Sequence, residues 1–247
     1  MSGHSKWANI KRTKGKADAA RGQIFTKIGR EIVVAVKQGG PDPASNSKLR
    51  DVIAKARQNN MPNDNIQRSI KKASGELSNV NYEEVVYEGY GIAGSAVIVR
   101  CLTDNKNRTA GDVRHAFDKL GGSLGSTGCV SYMFDNKGIL ILQKTPTMVE
   151  DEIIEMCLEA EADDVVDDED VYQIETTPSN FVTVKENLEG KGLTFLSAEV
   201  TKIPQNYVDL QPAQQETFVK MIDMLEALDD VQDVYHNVNL PEEAYEE

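Results

Sequence analysis

Cysteine, histidine and tryptophan are scarce in this chain, and each scarcity excludes something. The three cysteines, Cys101, Cys129 and Cys157, are far apart and odd in number, with no CxxC pair or other ligand spacing. A disulfide scaffold and a cysteine-built zinc module are thereby excluded, and a reducing compartment is the simple expectation. His4, His115 and His236 are scattered through different predicted elements, and no HExxH run occurs. No apolar run is long enough to span a membrane. The N-terminus lacks the apolar centre of a signal peptide, so a cytoplasmic protein without a membrane role is expected. Walker, dinucleotide-binding and nucleophile-elbow patterns are also lacking. The chain therefore reads as non-enzymatic, with no cofactor and no metal.

Positive charge is missing from most of the length. Residues 81 to 247 hold 11 Lys+Arg against 34 Asp+Glu, whereas residues 1 to 80 hold 16 against 6. The whole-chain net charge of −13 hides this split. A cationic module built to touch a polyanion, tied to acidic domains, is the direct reading. The gradient has a middle step: residues 81 to 130 are nearly neutral, with 5 cations against 6 acids.

The arm at residues 6 to 21 carries Lys6, Lys11, Arg12, Lys14, Lys16 and Arg21, with Asp18 as its only acid. Each cation that neutralises a phosphate releases counterions, so such an arm gives salt-sensitive affinity for nucleic acid. Trp7, the single tryptophan, sits inside it, where an indole can stack on a base or pack as a staple on the bundle. Lys27, Arg30, Lys55, Arg57, Arg68, Lys71 and Lys72 extend the basic character over the following helices. Any one of them alone reads as a solvated surface charge.

Apolar spacing predicts those helices. Ile24, Ile28 and Ile32 recur every four residues, and Gly39-Gly40-Pro41 stops the run. Leu49, Val52, Ile53 and Ala56 mark a second helix. Ile66 and Ile70 mark a short third one, with Asn63 or Asp64 as its cap. The turn at Asn59 to Asn63 is long and lacks glycine, which argues against a groove-reading helix-turn-helix.

Beyond residue 80 the period changes. Strands are predicted at 84–90 and 95–102, then a helix over 109–120 closed by Gly121-Gly122. A hairpin is predicted from 129–134 and 139–143 around Asp135-Asn136-Lys137-Gly138. Next come an acidic helix from Pro146 to about Ala162, a strand near Val171, a helix over 179–188 and a strand over 194–203. A helix from Pro212 and a strand over 231–238 close the chain. This mixed order predicts an α+β fold: a helical domain followed by two α+β sandwiches with mostly antiparallel sheets. The expected domains are 1–80, then 81–132 with 204–240, an inserted acidic domain at 133–203, and an acidic tail at 241–247.

Gly121 to Gly128 imitates a phosphate cradle, but no Lys-Ser/Thr follows and a helix precedes it. A helix C-cap running into a strand is the better account, with a backbone contact to a nucleic-acid phosphate as the alternative. In Asp104-Asn105-Lys106-Asn107-Arg108-Thr109, Asn107 or Thr109 can cap a helix. Lys106 and Arg108 then stand beside its N-terminus, either as an anion site or as surface charge on a capped turn. Residues 150 to 175 hold 13 carboxylates and no Lys or Arg, without the spacing of an EF-hand. They read as a solvated face, or as a grip for a basic protein partner, which is the adaptor alternative to nucleic-acid binding.

Several stretches together resemble one family: Met1-Ser2-Gly3-His4-Ser5-Lys6-Trp7-Ala8-Asn9-Ile10-Lys11, Phe25-Thr26-Lys27, Met61 to Ile66, Tyr87-Glu88-Gly89-Tyr90-Gly91, Asp104 to Thr109, and Gly121 to Gly125. They are similar to the YebC family of probable transcriptional regulatory proteins, whose relatives include the mitochondrial translational activator of cytochrome c oxidase. The resemblance implies three domains, the third inserted into the second. It also implies no cofactor, cytoplasmic residence, and one of two roles: a DNA-binding transcriptional regulator, or a ribosome- and rRNA-associated translation factor. The chain departs from the family pattern at Ile92-Ala93, where Pro-Gly is common, and at Cys129, where Ser is common.

Overall fold

The computed structural model describes residues 17–75, 81–168 and 170–241. They form two compact units. The first holds residues 17–75, 81–131 and 210–236, and the second holds 132–168, 170–209 and 237–241.

Three helices open the first unit: α1 (Ala17–Gly39), α2 (Ser47–Gln58) and α3 (Asn63–Ser74). Their apolar residues recur at three- and four-residue spacing, which gives each helix one buried stripe. Ile28, Ile32, Leu49, Val52, Ile53, Ile66 and Ile70 meet in a single core. Asn46 joins two of the helices. Its side chain accepts from Leu49 N as the α2 cap, and its Nδ2 donates to the Ala35 and Gly40 carbonyls at 2.8 Å. α1 begins earlier than Ile24 because Ala-rich sequence carries the helix back beyond the apolar pattern. Neither Asn63 nor Asp64 caps α3; Pro62 stands at that position, with no side-chain bond.

The same unit contains β1 (Glu83–Tyr90), β2 (Ala96–Thr103), α4 (Lys106–Lys119) and β3 (Ser123–Leu124). After the second unit the chain returns as α7 (Pro212–Glu226) and β9 (Val231–His236). The sheet order is β3-β1-β2-β9, all antiparallel. β2 lies between β1 and β9, and Val97, Ile98 and Val99 are fully buried, so its run is apolar on both faces. Asn105 caps α4 by accepting from Arg108 N, in place of Asn107 or Thr109. Gly121 ends this stretch at φ +78°, the left-handed geometry of a helix C-terminus, and Gly122 N bonds back to the Phe117 carbonyl.

The second unit is a sheet in the order β5-β6-β4-β7. Its strands are β4 (Phe134–Gln143), β5 (Asp164–Asp167), β6 (Val171–Thr176) and β7 (Phe195–Pro204). Helices α5 (Glu150–Glu159) and α6 (Phe181–Gly190) share a core with Leu140, Leu142, Tyr172 and Ile174. A short parallel pair, β8 (Val208–Asp209) with β10 (Val238–Asn239), completes it. The fold is α+β with antiparallel sheets, as the element order implies.

Two further expectations need correction. Asp135-Asn136-Lys137-Gly138 is no turn: β4 runs straight through it and pairs with β7 from Phe134 to Leu142. Gly138 serves close approach, since a Cβ there would lie 2.7 Å from the Phe181 ring. The acidic stretch after α5 contains a strand, β5, paired with β6 from Asp164 to Asp167. Val165 joins the core while the flanking aspartates stay exposed, a normal composition for an edge strand.

Candidate nucleic-acid interface

The predicted cations divide into two groups. Lys6, Trp7, Lys11, Arg12, Lys14 and Lys16 lie outside the described residues. Arg21 is exposed on the first turns of α1 and has an interaction partner.

Lys27, Arg30, Lys55, Lys106 and Arg108 are bound within the fold. Lys27 Nζ donates to the Glu226 carbonyl at 2.8 Å, and Gln23 Nε2 donates to the neighbouring Ala227 carbonyl at 2.5 Å. Two side chains of α1 thus satisfy the carbonyls where α7 ends, where positive charge also complements the helix dipole. Burial lowers the Lys27 pKa against the raising pull of Glu226 and Asp233.

Arg30, one turn further along α1, donates to the Leu102 carbonyl at 3.1 Å and to the Asp230 carboxylate, and its guanidinium lies 5.3 Å from the Tyr82 ring centre. Asp230 is nearly buried and also accepts from Arg108 at 2.8 Å and from the Thr109 hydroxyl at 2.7 Å. The Thr103 hydroxyl stands 3.3 Å away. Burial alone would push the Asp230 carboxyl up. The hydrogen bonds from Thr109, Arg108 and Arg30, with the charge of Arg30, outweigh it and hold the group below the usual carboxylate range.

A second chain of charges runs beside this one. Lys55 donates to Glu31 at 2.7 Å, Glu31 lies 4.0 Å from Arg100, and Arg100 Nε donates to Asp233 at 2.7 Å. At the start of α4, Lys106 pairs with Glu83 at 2.5 Å, and Arg108 also reaches Asp104 at 2.8 Å. The Asp104-to-Thr109 motif therefore places its cations on carboxylates of the fold, and its Thr109 completes the Asp230 cluster.

Arg57, Arg68, Lys71 and Lys72 form the other group. All four are exposed, and no ion pair joins them to another described residue. Arg57 stands in the last turn of α2, and Lys71 and Lys72 in the last turn of α3, where they also complement the helix dipoles.

The glycine-rich loop after α4 is shaped by Glu88, which the sequence reading did not single out. Its carboxylate accepts backbone N–H groups from Gly128 at 2.8 Å, Val130 at 3.0 Å and Ser131 at 2.8 Å. Burial raises this carboxyl, but the N–H groups of Val130, Gly128 and Ser131 overcome it and leave the pKa lowered. The loop's N–H groups are thus turned on an internal carboxylate. Asp230 was missed as well; its partners are Arg30 and the stretch from Thr103 to Thr109, both more than 120 residues away in sequence.

In the acidic stretch, Glu159 pairs with Lys191 at 2.5 Å and Asp167 with Lys144. Among the described residues, no group of His, Cys, Asp or Glu is arranged to hold a metal ion. No described helix is long and apolar enough to cross a membrane.

Comparison with known proteins matches two family profiles. One, described as the TACO1/YebC protein N-terminal domain, covers residues 5–76, and the other, the TACO1/YebC second and third domain, covers 82–238. A probable transcriptional regulatory protein of Clostridium botulinum is 59% identical over 242 residues, spanning 98% of each chain. A protein of the same name from Ruminiclostridium cellulolyticum is 58% identical over the full length of both. The crystal structure of a conserved hypothetical protein from Aquifex aeolicus superposes with a TM-score of 0.84 at 45% identity, covering 96% of this chain and 98% of that one.

Proposed function

The chain belongs to the TACO1/YebC family, and on that premise we propose that it is a non-enzymatic regulator of gene expression that binds nucleic acid through phosphates, with DNA as its target. The observation that carries this reading is the exposed set Arg57, Arg68, Lys71 and Lys72, which no ion pair neutralises among the described residues. In the sequence it follows the cationic run from Lys6 to Arg21. Full-length relatives bear the name of probable transcriptional regulators, and a phosphate anchor suits that role. The net −22 of residues 131 to 247 repels phosphate, which orients the protein on its target and opposes non-specific coating. A cytoplasmic site of action follows from such a role.

Crosslinking in cells followed by sequencing of the bound nucleic acid tests this. Recovery of promoter DNA is expected. Recovery of ribosomal RNA would replace transcription by translation as the regulated step, and recovery of no nucleic acid would overturn the reading. In vitro, reversing the charges of Lys11, Arg12, Lys14 and Lys16 should lower affinity and flatten its salt dependence. An unchanged slope would remove the arm as anchor.

A further inference from the structure

Phe25 and Thr26 of α1, Met61 of the α2–α3 turn, and Asn65, Arg68 and Ser69 of α3 line a shallow open groove of about 250 Å³. Asn65, Arg68 and Ser69 follow the i, i+3, i+4 spacing that puts side chains on one helix face. Phe25 and Met61 supply the apolar part. Phe25 is only half-buried, so its ring both packs on the bundle core and lines the groove. The polar part is uncommitted. Among the described residues, neither the Asn65 amide nor the Ser69 hydroxyl has a side-chain hydrogen bond, and Arg68 has no ion pair. The Thr26 hydroxyl donates to the Gly22 carbonyl at 2.9 Å and keeps lone pairs to accept with.

We propose that this groove receives one unpaired nucleobase of the bound strand, with Arg68 on its phosphate. The inference rests on the phosphate-binding reading above and names what the strand must present. An aromatic ring beside an amide that can both donate and accept matches a base, which has a stacking face and a hydrogen-bonding edge. The exposed Arg57, Lys71 and Lys72 on α2 and α3 give the bundle the charge to hold the flanking backbone. A duplex keeps its bases stacked and paired, so the groove favours a single strand, a loop or a locally opened duplex.

The test measures binding of the full chain to three fluorescein-labelled probes: oligouridylate, oligothymidylate and a mixed-sequence duplex DNA. Phe25→Leu keeps an apolar side chain against the core, and Asn65→Ala alters a side chain with no hydrogen-bond partner among the described residues, so folding does not mask the result. Each variant should weaken single-strand binding about tenfold and leave duplex affinity unchanged. Loss on oligouridylate alone identifies an RNA loop as the source, and loss on oligothymidylate identifies opened DNA. Wild-type affinity of both variants for single strands, or equal losses on single strand and duplex, would overturn the groove while leaving the phosphate anchor in place. A wild-type protein that binds none of the probes overturns both.

Discussion

Thr109 and Asp230 are 121 residues apart in the chain and in direct contact in the fold, the hydroxyl donating to the carboxylate over 2.7 Å. Around that bond gather Arg30 from the helical bundle and Arg108 from α4. One carboxylate thus ties the bundle, α4 and the turn before β9 together.

Replacing Asp230 by Asn leaves two guanidinium groups facing a neutral amide, one of them mostly buried. Removing one partner of a buried ionic cluster is strongly destabilising, and a loss of about 3 kcal/mol is expected in urea denaturation. Arg108→Gln should cost less, because Arg108 is half-exposed and Arg30 and Thr109 remain.

The same carboxyl sets an acid limit on stability. Its folded-state pKa is depressed, so its contribution is fully present above the unfolded value of about 3.9 and is lost as pH falls through the folded value. Unfolding free energy should lose this contribution below about pH 4, and Asp230→Asn should lack that part of the acid dependence. Equal acid slopes in the two proteins would contradict it.

Glu88→Gln keeps an acceptor but removes the charge that three backbone N–H groups share. A loss of about 1–3 kcal/mol is expected. Amide hydrogen exchange should quicken at Gly128, Val130 and Ser131 before it quickens in β1.

Gly111 lies inside α4, and a Cβ there would meet nothing within 4 Å. Gly111→Ala should stabilise the protein by about 0.5–1 kcal/mol, read as a higher melting temperature.

On the basic face, binding to duplex DNA should distinguish the two groups of cations. Changing Arg57, Lys71 or Lys72 to Gln should each reduce the salt slope by about 0.9. Lys55→Gln and Lys106→Gln should reduce it less, since Glu31 and Glu83 already hold those charges. Equal reductions would remove the distinction.

The helices of the bundle were legible because Ile28 and Ile32, Leu49 and Ile53, and Ile66 and Ile70 each recur at the four-residue spacing that core burial demands. The caps were not legible: Asn105, two residues ahead of the expected Asn107, holds α4, and Pro62 rather than Asn63 or Asp64 precedes α3, because a cap is fixed by where one residue leaves helical geometry. The straight course of β4 was hidden because Asp-Asn-Lys-Gly has the composition of a turn, and only Phe181, more than 40 residues later, shows what the glycine is for. Glu88 and Asp230 were hidden for a related reason. A buried acid is defined by its partners, and those partners arrive from distant sequence. The charge gradient announced a cationic module, yet Lys27, Arg30 and Lys55 turned out to be tied to carbonyls and carboxylates of the fold.

The position of β2 has a consequence for biosynthesis. β2 ends at Thr103, and β9, its second partner, begins at Val231. A nascent chain therefore displays one open side of its most apolar strand while the whole of the second sheet is being translated. Open strand edges recruit other chains. Slowed translation between those two residues should raise aggregation of the newborn protein far more than the same delay after His236.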